Sequence, residues 1–166
     1  MLKDTALFYR CMDKVIVSGL SKIDLDKEAF AEAKAKQIPN KELLLSRILF
    51  DGGYYTDALH VLSSLDTSGY SNTDVLNYQY RLARVYHQMD NIDLAKKYYK
   101  LTIIEGSGSE SYFAANAALK LGEIYEMERN YLMAKEAYSA CLEMDYMQYR
   151  NSINRRASEG LKRVSE

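Results

Sequence analysis

Few side chains in this sequence are equipped for chemistry. Histidine occurs twice, at His60 and His87, and cysteine twice, at Cys11 and Cys141. Neither histidine has a second His or Cys at metal-ligand spacing, so no metal site is expected. Both cysteines stand in apolar, helical-looking sequence and read as buried thiols rather than redox groups. No nucleophile elbow, phosphate loop or dinucleotide fingerprint is present. Gly106-Ser107-Gly108-Ser109 reads as a connector, with no strand before it. The expectation is a protein that is not an enzyme and needs no cofactor.

Hydrogen bonding and charge remain. Asn40, Asn77 and Asn116 each lie six residues ahead of a small residue, Ser46, Ala83 and Gly122 respectively. An asparagine amide both donates and accepts, so a row of three suits the backbone of an extended peptide. A second reading makes them helix caps, and Asn40 follows Pro39 as a cap would. One residue after each small position stand Arg47, Arg84 and Glu123, and three before it stand Leu43, Tyr80 and Leu119. Arg47 and Arg84 have the fork geometry that grips a carboxylate. The candidate set is therefore Asn40, Asn77, Asn116, Arg47, Arg84, Tyr80 and Glu123.

The elements that would carry these residues are helical. With 8 glycines and 1 proline in 166 residues, the chain is poorly suited to a turn-rich β architecture. Lys and Arg total 22 against 23 Asp and Glu, a net charge of -1, which lacks the basic surplus a nucleic-acid partner requires. No stretch approaches the ~18 apolar residues of a membrane span. Met1-Leu2-Lys3-Asp4 does not begin a secretory signal, and the compartment is left open.

Internal spacing is the main signal. Ser46, Ala83 and Gly122 are each answered twelve positions on by an alanine, at Ala58, Ala95 and Ala134. A leucine precedes each small residue, and three residues after it stand Leu49, Tyr86 and Tyr125. Four after each alanine stand Leu62, Tyr99 and Tyr138. Small residues in two helices at this spacing permit close approach, and tyrosines fill the space around them while keeping a hydroxyl at the wet edge. That accounts for much of the excess of 15 tyrosines.

This pattern resembles the tetratricopeptide repeat, in which Leu and a small residue, an aromatic one turn later, then Ala and an aromatic mark two paired helices. The likeness covers about residues 39 to 148. It departs from the family in lacking the closing proline, in Leu49 and Leu62 replacing aromatics, and in offsets of 37 and 39 residues. The resemblance implies an all-α, right-handed superhelical solenoid with a concave groove lined by the first helix of each pair. It implies a scaffold binding a protein or extended peptide. The chaperone-tail clamp of some members does not carry over, because Leu43, Arg47 and Arg81 occupy three of its positions, with Asn116 and Lys120 at the others.

About nine helices are expected, over roughly 4–18, 24–37, 41–50, 55–65, 73–89, 92–105, 111–128, 131–144 and 147–164. The last carries Ile153, Ala157, Leu161 and Val164 on one stripe and Arg150, Arg155, Arg156, Lys162 and Arg163 elsewhere, as a capping helix would. One helical domain is expected, with an atypical pair over 1–38, three repeats over 39–148 and the cap over 149–166. The first helix is apolar on more than one side, through Phe8, Tyr9, Met12, Val15 and Ile16. It resembles a second helix without its partner, which suggests the C-terminal part of a longer array. The competing expectation is an oligomerisation arm that self-associates through this helix.

Overall fold

The computed structural model describes residues 5–19, 24–36 and 38–166, and all regular structure among them is helical. Asp4 and Gln37, expected ends of the first two helices, lie outside the described residues. The chain divides into two units, Met1–Pro39 and Asn40–Glu166. The division falls where Pro39 forbids its predecessor a helical backbone.

The first unit pairs α1 (Thr5–Ser18) with α2 (Asp24–Ala35). Lys36 Nζ meets Asp13 Oδ1 at 2.9 Å. No residue of α1 is buried, and Ala33 of α2 is fully enclosed. Cys11 is accordingly exposed, which corrects the expectation of a buried thiol: α1 buries none of its residues, the thiol included.

The second unit contains α3 (Lys41–Asp51), α4 (Tyr55–Ser63), α5 (Asn72–Gln88), α6 (Ile92–Gly106), α7 (Phe113–Met127), α8 (Tyr131–Glu143) and α9 (Arg150–Arg163). Helices α3/α4, α5/α6 and α7/α8 form hairpins, α5 packs on α3, α4 and α7, α6 packs on α7, and α9 lies on α7 and α8.

The three hairpin turns share one backbone geometry. Gly53, Asp90 and Arg129, each seven residues past the small position, are left-handed with φ of 82°, 56° and 59°. The next residues, Tyr54, Asn91 and Asn130, have φ of -86°, -87° and -88°. Their amides donate back to the carbonyls of Leu49, Tyr86 and Tyr125 at 2.8, 2.9 and 2.9 Å. Asn91 and Asn130 also cap the following helix, accepting from Leu94 N and Met133 N. A tight reversal closed by a long backbone bond sets two helices side by side without a proline.

Ala58, Ala95 and Ala134 are fully enclosed, and so are Leu62, Tyr99 and Tyr138 four residues on. Burying such a ring contributes about 1.5–3 kcal/mol. At Gly122 the approach is close: a Cβ there would stand 2.6 Å from the Tyr138 ring. Gly160 of α9 also meets this ring, where a Cβ would stand 2.5 Å away. The apolar stripe of α9 turns inward, with Ile153 and Ala157 buried. Several helix ends differ from expectation by one to three residues, and two have a visible cause. Gly106 belongs to α6 and not to a connector, because it is buried against Leu76 and Ala114. Helix α9 begins at Arg150, since Tyr149 is left-handed with φ 56°.

Candidate interaction face

The candidate residues lie on α3, α5 and α7. On α5, Asn77, Arg81 and Arg84 are spaced i, i+4, i+7, and on α7, Asn116, Lys120 and Glu123 repeat that spacing. Residues so spaced share one helical face. Packing of α5 on both α3 and α7 brings the three helices together.

Arg47 and Arg84 converge on a carboxylate of the chain itself. Arg47 Nε and Arg84 Nη2 each stand 3.9 Å from an oxygen of Asp51. The Arg84 guanidinium also lies 4.0 Å from the centre of the Phe50 ring, a cation–π contact that fixes its plane. Beside it opens a cleft of about 320 Å³ lined by Phe50, Asp51, Arg84, His87, Tyr99 and Lys120. His87 is drawn below its ordinary range by burial and then by the Lys120 charge, so it faces the cleft as a neutral imidazole.

On α7, Glu123 is doubly engaged, by Lys120 at 2.9 Å and by Arg156 of α9. Glu126, one turn on, takes a two-pronged bond from Arg163 at 2.7 and 2.9 Å. It also accepts the Tyr138 hydroxyl at 2.6 Å. Arg163 first, then Tyr138, hold the Glu126 carboxyl below its ordinary range against the opposing effect of burial. The basic side chains of α9 thus return in part to α7.

The asparagines do not form a uniform row. Asn40 caps α3, its Oδ1 accepting from Glu42 N and Leu43 N, both at 3.1 Å. Asn116 donates through Nδ2 to the Tyr80 hydroxyl at 2.7 Å, and its Oδ1 is buried without a partner. Asn77 Oδ1 is likewise buried and unpartnered. Tyr80 is no surface contact: it is 3% exposed, packed among Tyr99, Tyr112 and Phe113, and burial raises its phenol far above the ordinary range. Leu43 and Leu119, at the same phase, are buried too. That phase faces the core.

Arg81 and Lys120 are the residues that the phase reading missed as a pair. They stand at the same place, two residues ahead of Ala83 and Gly122, one turn after the asparagines. Arg81 is 8% exposed, its Nε has no acceptor, and no ion pair to it exists among the described residues. Burial pulls its guanidinium down to about 10, with Arg47 and Arg84 adding to the shift and Tyr112 and Tyr80 opposing it.

Among the described residues no group of His, Cys, Asp and Glu is arranged to hold a metal ion, and no helix is long and apolar enough to cross a membrane. The Cys141 thiol is pushed up to about 12 by burial, which keeps it protonated and unreactive. No protein-family model matches the chain, and searches of curated proteins and of solved structures find no match either.

Proposed function

We propose that the second unit is a tetratricopeptide-like solenoid segment that acts as a protein-interaction scaffold. Its three hairpins are repeats, and the α3/α5/α7 side is the concave groove that holds a peptide or protein partner. The recurrence of one turn geometry at Gly53, Asp90 and Arg129 supports the repeat reading. The observation that carries the binding reading is the matched triplet on α5 and α7, with amide oxygens of Asn77 and Asn116 enclosed but unpaired. Buried polar atoms are nearly always satisfied, so unpaired ones at the same phase of two neighbouring helices call for a partner; Gln79 Oε1, whose amide bonds to Glu105 of α6, is unpaired as well.

The test is a displayed-peptide selection on the full chain, followed by affinity measurement of the enriched peptides. Replacing Asn77 and Arg84 together by alanine weakens those peptides at least about tenfold with the circular dichroism unchanged. Undiminished binding by the double variant rules out this face.

The self-association reading has one observation in its favour. Helix α1 buries no residue, and Val17 on it is 84% exposed. An apolar helix in that condition suits a second copy. Sedimentation of the full chain decides: a concentration-dependent dimer abolished by Val17→Lys supports it, and a monomer throughout removes it.

A further inference from the structure

This face carries three arginines, and two of them share one carboxylate. Asp51 lies 3.9 Å from both Arg47 and Arg84, and Arg81 has no acidic partner among the described residues. Acids on the flanking helices have other partners: Glu105 of α6 accepts from Gln79 at 2.7 Å, and Glu123 of α7 holds Lys120 and Arg156. A charged side chain that is nine-tenths buried needs a counter-charge or hydrogen bonds; Arg81 has no ion pair among the described residues, and its enclosed Nε has no acceptor.

The unsatisfied atoms beside Arg81 narrow the chemistry of what completes it. Asn77 Oδ1, one turn away on the same face, and Asn116 Oδ1 on α7 are acceptors. A small inorganic anion offers Arg81 an acceptor but at most a hydroxyl or two, on one compact group, for oxygens that lie on two helices. An extended polypeptide brings both, a side-chain carboxylate and main-chain N–H groups. The spacing agrees, since Asn77 and Arg81 are separated by about 6 Å along the helix axis and two residues of extended chain span about 6.6 Å.

We propose that this face takes an extended acidic peptide segment whose Asp or Glu carboxylate seats on Arg81, with Arg47 and Arg84 adding positive charge, while main-chain N–H groups of the segment satisfy Asn77 and Asn116. The inference rests on the scaffold reading above and gives its partner a chemistry. The bond is charge-assisted, so affinity falls as salt rises.

The experiment measures fluorescence anisotropy of three labelled decapeptides on the full chain. One carries two central glutamates with both ends blocked, the second has glutamines in their place, and the third is the glutamine peptide with a free C-terminus. The expected result is at least about tenfold tighter binding of the glutamate peptide, with that preference erased in Arg81→Gln. Equal binding of the blocked peptides, including none by either, overturns the proposal, as does a preference that survives Arg81→Gln. A preference confined to the free C-terminus also overturns it. Selected peptides that carry no acid yet are lost in the Asn77/Arg84 double variant keep the groove and remove the acidic partner. A second measurement needs no ligand. Arg81→Met, which trades an uncompensated buried charge for a thioether of similar length, melts about 3 °C or more above the parent chain, and a lower melting temperature overturns the proposal.

Discussion

The first and last hairpins of the second unit occupy the same sequence phase and are packed differently. In α3/α4 the small position is Ser46, whose hydroxyl donates to Leu43 O at 2.8 Å, and the residue opposite is Leu62. In α7/α8 the small position is Gly122 and the residue opposite is Tyr138, whose ring leaves no room for a Cβ. Tyr138 also meets Gly160 of α9 and is tied at its hydroxyl to Glu126. The last hairpin is covered by α9, which packs on both of its helices. The twelve-residue interval sets where two helices meet. How small the meeting point must be depends on how firmly the side chain four residues past the alanine is held: Leu62 accompanies Ser46 and Tyr99 accompanies Ala83, whereas Tyr138, met by Gly160 and tied to Glu126, leaves room only for Gly122.

Exchanging the small residues breaks this comparison most severely. Gly122→Ser forces the pinned Tyr138 ring aside and costs about 1–3 kcal/mol. Ser46→Gly loses one local hydrogen bond and some helix propensity, about 1 kcal/mol. Urea unfolding of both variants checks the asymmetry, and equal costs would show that Tyr138 is not what excludes a side chain.

The turns offer a smaller, signed effect. Arg129 bears a left-handed conformation that Gly53 adopts freely. Arg129→Gly stabilises by about 1 kcal/mol, and Gly53→Arg destabilises by a similar amount. Thermal melting reads both.

Acid affects the two ends unequally, with the smallest effect. Glu126 is held below its ordinary value of 4.5, so its contribution to stability is present above that pH and fades as pH falls through the lowered value. His87, also drawn down, adds loss of the same sign on acidification below its ordinary 6.5. Amide protection factors, corrected for the intrinsic pH dependence of exchange, therefore fall in α8 before they fall in α4 as pH drops, and Arg163→Gln removes much of the difference. A uniform fall across both helices would contradict the assignment.

Hairpins were legible in the sequence because their determinants are local: a small residue, an alanine twelve on, and a turn between them. The orientation of the face was legible only in part. Leu43, Tyr80 and Leu119 read as groove residues, yet α5 is packed by α3, α4, α6 and α7, and a phase that serves one exposed side in an isolated pair is enclosed on both. Tyr80 reads as a groove contact, but it is buried and its hydroxyl is bonded by Asn116. Arg81 was overlooked because an arginine in a helix ordinarily reads as solvated, and its burial arises from neighbours on other helices. Asn40 shares its phase with Asn77 and Asn116 but caps a helix, since Pro39 starts α3 there. Gly160 gave no signal in a polar helix, because its reason lies in a ring on α8.

The most direct test of the proposed groove is to titrate the isotope-labelled full chain with a selected peptide and map the amide and guanidinium shifts. The account predicts perturbations concentrated on Asn77 to Arg84 of α5 and Asn116 to Glu123 of α7, with the Arg81 Nε–H signal among the largest. Shifts gathered on the outward sides of α4, α6 and α8, with α5 and Arg81 silent, would contradict it.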